Sequence, residues 1–174
     1  MLKQSGIKFY TESHNCDENE LKKHFKDLPL LDLALELAKA KAYSISKYTT
    51  DAYVIGSDQV CEIDGDVIYK SKNEDDAFKT LKKLQGKTHR QNNGTCIFLN
   101  GECILEAKDF AELKMKPLTD KQINEYISTD SPIGCAGSYK YELTGKDLFE
   151  EIKGTEDCIK GFNLSEVVDF LKSK

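Results

Sequence analysis

No apolar run in the 174-residue sequence is long enough to span a bilayer, and its first residues, Met1 to Gly6, lack the apolar core of a signal peptide. Both absences point away from the membrane. A basic excess is missing too, because 30 acidic residues outnumber 25 basic ones and the net charge is −5. A generic nucleic-acid binder would need a basic footprint, so nucleic acid is not an expected partner. The six cysteines include no Cys-x-x-Cys pair and no zinc spacing. Cys96 and Cys103 flank Asn100-Gly101, and across a two-residue hairpin they would be diagonal neighbours at roughly 7–8 Å, too far for a disulfide. All six therefore read as reduced thiols and the chain as cytoplasmic. Internal repeats and low-complexity segments are absent. The length suits one domain, or one domain of two lobes, with a real core.

What is present centres on Asp51 to Lys70. Ala52 to Ile55 is a short apolar run that reads as a buried strand, and Gly56 reads as its break. Asp58 lies just past it, where catalytic groups of α/β proteins commonly sit. Val60 to Ile63 reads as a second strand, Asp64-Gly65 as a two-residue turn, and Val67 to Tyr69 as the returning arm. Facing positions in such a hairpin add to a constant sum, so Ile63 faces Asp66 and Gln59 faces Lys70. Lys70 then lies one residue from level with Asp58. Strict alternation puts the two side chains on opposite faces, so the pairing must fray for them to converge. A carboxylate that orders a metal or water, beside an ammonium that neutralises phosphoryl charge, suits chemistry on a phosphate. An exposed hairpin carrying an inert surface ion pair is the alternative on spacing alone.

The rest of the chain reads as alternating elements. Met1 to Gln4 resembles the last turn of a helix closed by Gly6, and Ile7 to Tyr10 a strand. Asp17-Glu18 could hold a divalent metal or contact a base, or simply lead into a helix over Glu20 to Phe25. Asp27 is a cap for the next helix and Pro29 fits its first turn. That helix buries Leu30, Leu33, Ala34, Leu37, Ala38 and Ile45. Lys39 and Lys41 fall off the stripe and read as solvated, with a phosphate contact open to Lys41. Asn73 caps a helix with Ala77, Phe78, Leu81 and Leu84 inside, ending at Gly86. Thr95 to Leu99 and Glu102 to Phe110 are arms of an Asn-Gly hairpin. Thr119 and Gln122 form a capping box, and Ser131-Pro132 ends its helix. Gly134-Cys-Ala-Gly137 is a turn or a close approach of backbone to a ligand. Tyr139 could stack on a base or be a half-buried strand aromatic. Leu148 to Ile152 reads as a strand, and Asn163 with Glu166 caps a final helix. The order predicts an α/β (α+β) domain on a mixed sheet with helices on its faces.

Several blocks, in order, resemble the Maf family of nucleoside triphosphate pyrophosphatases: Asp17-Glu18, Leu37 to Ala42, Ile55 to Val60, Gly65 to Lys70, Leu84 to His89, Tyr126-Ile127 and Ala136 to Tyr139. The resemblance implies a Maf/inosine-triphosphatase-like fold, a two-lobed mixed twisted sheet flanked by helices with a central cleft. It implies hydrolysis of a nucleotide to the monophosphate and pyrophosphate with a divalent cation, Mg or Mn. By the same resemblance Asp58 is the catalytic aspartate and Lys70 the phosphate-binding lysine. Glu18 is an acidic site residue that shares the metal with Asp58. Gln59, Tyr139 and Glu142 are further expected substrate-binding residues, Glu142 standing where the family has glutamine. Cys135 replaces a lysine. The family opens with a strand and a Ser-x-Ser-x-x-Arg loop, whereas Met1 to Gly6 matches the end of the helix after that loop. On that reading the single Maf-like domain over 1–174 is N-terminally truncated and weakly active or inactive. Gly56-Ser-Asp-Gln-Val-Cys61 resembles the branch acting on 7-methyl-GTP more than the branch acting on dTTP and UTP, which tends to have Ala-Asp-Thr there. A homodimer is left open, and the rival reading is a non-catalytic protein that binds nucleotide or a partner.

Overall fold

The computed structural model describes residues 1–174. Six α-helices are α1 (Glu18–His24), α2 (Leu30–Ser46), α3 (Glu74–Leu84), α4 (Asp120–Asp130), α5 (Glu156–Ile159) and α6 (Leu164–Lys172). Five strands are β1 (Tyr53–Ile63), β2 (Asp66–Ile68), β3 (Thr88–Leu99), β4 (Glu102–Met115) and β5 (Phe149–Lys153). They form one sheet in the order β2-β1-β3-β4-β5. The fold is α/β, as the alternation of elements predicts.

Local chemistry sets most of these boundaries. Asp64 (φ 54°) and Gly65 (φ 84°) form the left-handed turn that joins β1 to β2, and Asn100 (φ 52°) and Gly101 (φ 83°) do the same between β3 and β4. The β1–β2 ladder pairs Ile63 with Asp66, Glu62 with Val67 and Cys61 with Ile68, the register that the turn dictates. Asn73 Oδ1 accepts the Asp76 N–H at 2.8 Å and starts α3. Thr119 and Gln122 complete the capping box of α4, and Ser131 ends that helix in the left-handed region.

The sheet departs from the expected mixed one. β1 with β2 and β4 with β5 pair antiparallel, and β3 with β4 is a two-residue hairpin. β1 meets β3 through Gly56 with Cys96, Ser57 with Gly94 and Asp58 with Asn93, so one strand ascends as the other descends. The crossover through α3 returns β3 in the direction of β2 but on the far side of β1. Parallel strands are therefore never neighbours.

The chain divides into two compact units, one of Met1–Gln59, Asn93–Asp109 and Gly161–Lys174, the other of Val60–Asn92 and Phe110–Lys160. In the first unit Leu35, Ala38, Ala42, Cys96 and Phe98 form a core with Val54 against it. Gly56 does not break β1 as expected but lies within one continuous strand. Its missing side chain lets α2 approach: a Cβ there would stand 2.4 Å from the Ala38 carbonyl oxygen and 2.8 Å from the Ala42 Cβ. Gly94 in β3 meets the same helix, where a Cβ would fall 2.3 Å from Leu35 Cα. Pro29, rather than Asp27, is the cap residue of α2. Ile7 to Tyr10, expected as a strand, joins no strand, and the Phe9 and Tyr10 side chains are exposed.

The second unit has the larger core, built on Ile63, Leu81, Leu84, Leu113, Met115 and Ile123. α3 and α4 each bury one face in it, as their three- and four-residue spacings predict. No helix is long and apolar enough to cross a membrane.

Candidate active site

In the first unit, three charged residues distant in sequence meet. β1 carries Asp58 inward beside α2, since Gly56 and Asp58 share one face of the strand and Gly56 packs on that helix. Asp58 is only 9% exposed. Lys41 extends from α2 and its Nζ lies 2.5 Å from Asp58 Oδ1. The same Nζ lies 2.9 Å from Glu18 Oε1. Lys41 therefore bridges the two carboxylates. A buried carboxylate without a partner would be costly, and this ammonium supplies the compensation. Burial opposes the charge on Lys41, yet the attraction and hydrogen bond from Asp58, with those from Glu18, prevail and hold its pKa above the ordinary lysine value.

Local structure explains how Glu18 arrives there. Asp17 Oδ1 accepts from the backbone N–H groups of Asn19 and Glu20 at 2.9 and 3.1 Å, which makes Asp17 the cap of α1 and Glu18 its first residue. Of the two neighbouring carboxylates, Asp17 is structural and Glu18 turns to Lys41. His14 Nε2 stands 3.5 Å from Glu18 Oε1 and Lys22 Nζ 3.7 Å from Oε2. His14 Nδ1 in turn lies 3.2 Å from Cys16 Sγ. Burial holds the Cys16 thiol above its ordinary pKa against the pull of Lys41.

The opposite face of β1 carries Ser57 and Gln59. The Ser57 hydroxyl donates to the Gly161 carbonyl at 2.8 Å, with the Gly94 carbonyl at 3.0 Å as its other acceptor. A Cβ on Gly161 would stand 3.5 Å from Gln59 Cδ, so the glutamine side chain covers that turn.

The remaining expected residues belong to the second unit. The β1–β2 ladder ends at Cys61 with Ile68, so Lys70 leaves the ladder beyond its last pair and is exposed. The Gly134 N–H bonds to the Ser71 carbonyl at 3.0 Å, tying Lys70-Ser71 to the turn before Cys135. Burial raises the Cys135 thiol pKa, Lys140 and Lys70 lower it and Glu142 raises it. Lys70 and Glu142 thus act on one neighbourhood. Glu142 is exposed.

Tyr139 corrects the expectation of a stacking residue. It is 4% exposed, its ring meets Phe149 edge-on at 4.9 Å, and its hydroxyl accepts from Gln91 Nε2 at 2.6 Å. It is a core residue with a satisfied hydroxyl, and presents no face to a base. Gly137 explains the tight turn before it, because a Cβ there would fall 2.6 Å from the Tyr139 ring.

Sequence reasoning undervalued Lys41. Its spacing places it off the apolar stripe of α2, and only the packing of α2 on Gly56 brings it to Asp58. Lys39, also expected to be solvated, pairs with Glu36 at 3.0 Å and Glu106 at 2.9 Å. No group of three or more His, Cys, Asp and Glu side chains gathers around a common point. Asp58 and Glu18 are hard oxygen donors of the kind that hold Mg with help from substrate phosphates rather than in an all-protein cage.

The chain as a whole is similar to known proteins. The sequence model of the family described as Maf-like protein matches residues 1–174. A protein of Legionella pneumophila (strain Philadelphia 1) named nucleoside triphosphate pyrophosphatase is 34% identical over 171 residues, covering 98% of this chain and 86% of that one. A Bartonella quintana protein named 7-methyl-GTP pyrophosphatase is 35% identical over 94% of this chain and 84% of its own. One from Fusobacterium nucleatum named dTTP/UTP pyrophosphatase is 32% identical over 99% and 88%. A match along the whole chain, with Glu18, Lys41 and Asp58 drawn together, makes this protein a member of the Maf-like family.

Proposed function

We propose that the chain hydrolyses a nucleoside triphosphate to the monophosphate and pyrophosphate. The observation that supports this best is the bridge from Asp58 through Lys41 to Glu18, set in a chain whose relatives carry pyrophosphatase names. In this reading Asp58 orients and deprotonates the attacking water, which requires a carboxylate held in one orientation. Lys41 provides that hold. Lys70 stabilises charge developing on the phosphate oxygens. Glu18 and Asp58 together would hold a divalent cation, which supplies charge neutralisation at the phosphates when bound. Gln59 and Glu142 contact the substrate. The preferred base is a modified one, 7-methyl-GTP over dTTP or UTP, on the strength of Gly56-Ser-Asp-Gln. The protein acts in the cytoplasm.

Pyrophosphate release measured across a nucleotide panel, with Mg and with Mn, tests the reading. Turnover is expected with at least one triphosphate, highest with 7-methyl-GTP. Asp58→Asn is expected to fold and to lower kcat by roughly 100-fold or more. A variant that keeps the wild-type rate removes Asp58 from its role, and a panel led by dTTP or UTP removes the base preference. Tight nucleotide binding without turnover would mark a binding protein instead.

A further inference from the structure

The middle of β3 is polar where a central strand is usually apolar: Asn93 and Thr95, both of the first unit, are fully buried. Each has a use. The Thr95 hydroxyl donates to Asn93 Oδ1 at 3.2 Å. It accepts from the backbone N–H of Asn163, the residue before α6, at 3.2 Å. It also lies 3.0 Å from the Ser57 hydroxyl. Asn93 Nδ2 then donates to the backbone carbonyl of Asp58 at 3.4 Å. An amide has a donor end and an acceptor end, and either could face Asp58. A hydroxyl proton at Oδ1 selects the orientation in which Nδ2 faces the carbonyl. Thr95 thus orients the amide that holds Asp58 by its main chain, while its contact with Ser57 carries no proton of its own, since the Ser57 proton goes to the Gly161 carbonyl. Lys41 holds the Asp58 carboxylate itself.

We infer that Thr95 is a positioning residue for Asp58, acting through Asn93. The inference rests on the role proposed for Asp58. Its physical basis is that small displacements of a reacting group cost much in rate, and that a buried network loses its order when one member is removed. Thr95→Val keeps the shape of the side chain and deletes one donor and one acceptor. Asn93 then loses the proton that orients its amide, and its bond to the Asp58 carbonyl loosens.

The test compares the wild type with Thr95→Val and Thr95→Ser, with rates normalised to the folded fraction. The valine variant is expected to lose roughly tenfold in kcat with KM changed by less than about twofold, a loss of about 1.4 kcal/mol in the barrier. The serine variant, which restores the hydroxyl, should return to within about twofold of wild type. Should Thr95→Val fail to fold, Thr95→Ala takes its place with the same expected split. The second readout needs no substrate: the carboxyl carbon resonance of Asp58 in aspartate-labelled protein shifts in the valine variant and returns in the serine variant. An unchanged kcat, or a loss that serine does not restore, overturns the inference. If the wild type turns over no nucleotide at all, the proposed function falls and the resonance alone decides. A valine-variant resonance identical to wild type then rejects the positioning role.

Discussion

His89 shows how a single buried side chain makes the stability of the fold depend on pH. It is 2% exposed and lies in β3 within the second unit. Its Nε2 stands 3.0 Å from the Tyr139 hydroxyl, while Nδ1 has no partner. The Tyr139 hydroxyl accepts a hydrogen bond from Gln91 Nε2, which leaves its own hydrogen to donate to a neutral His89 Nε2. Burial lowers the imidazole pKa from 6.5 to about 4. Unfolded chain therefore binds a proton that folded chain refuses between those values, and stability falls as pH drops from about 6.5 to about 4. Full protonation would cost about 3 kcal/mol. Denaturant unfolding followed from pH 7 to 4.5 should show a steeper loss in wild type than in His89→Phe, by about 2 kcal/mol at the acid end. Equal slopes would mean that His89 is protonated in the fold. Nothing in the sequence around His89 names its partner, because Tyr139 is fifty positions away and was expected at a substrate. The same separation hid Lys41, whose partner Asp58 is visible only once a helix and a strand have packed.

At the scale of elements, α2 rests on two glycines in adjacent strands, Gly56 in β1 and Gly94 in β3. The helix answers with small residues, Ala34, Ala38 and Ala42, all buried. This close approach is what brings Lys41 level with Asp58. Gly94→Ala places a methyl into the backbone of Leu35, which cannot yield as the end of a flexible side chain could. It should cost about 3 kcal/mol in urea unfolding and lower activity at temperatures where the protein stays folded, since α2 moves outward and carries Lys41 with it. A fully active, equally stable variant would show that the helix has room. Turns and caps were legible because their chemistry is local: Asp64-Gly65 fixed the β1–β2 register, and Thr119 with Gln122 fixed the start of α4. Gly56 reads as a strand break from sequence alone because its reason lies across the packing, not along the chain. The antiparallel sheet was missed for a related cause, since the order of strands decides which directions become neighbours.

For the molecule as a whole, ligand binding should register as stability even when chemistry is blocked. A non-hydrolysable triphosphate analogue with Mg, at about 100 times its Kd, stabilises the folded state by about 2.7 kcal/mol. For a chain of this size that corresponds to a rise in Tm of roughly 5–10 °C. A thermal scan with the 7-methyl-GTP, dTTP and UTP analogues ranks the bases independently of rate, and no shift with any of them would contradict nucleotide binding. The division into units has a separate consequence during synthesis. Met1–Gln59 is made first, but its unit also needs Asn93–Asp109 and Gly161–Lys174, whereas the other unit is finished at Lys160. Domains usually fold in the order in which they emerge. Here the unit that holds Asp58, Lys41 and Glu18 starts first and is completed last. While Gly161–Lys174 is still inside the ribosome, the nascent chain has its three charged residues but neither the Gly161 acceptor of Ser57 nor the Asn163 donor to Thr95. A stalled chain ending before Gly161 would therefore present this unit to chaperones and proteases in an unfinished state.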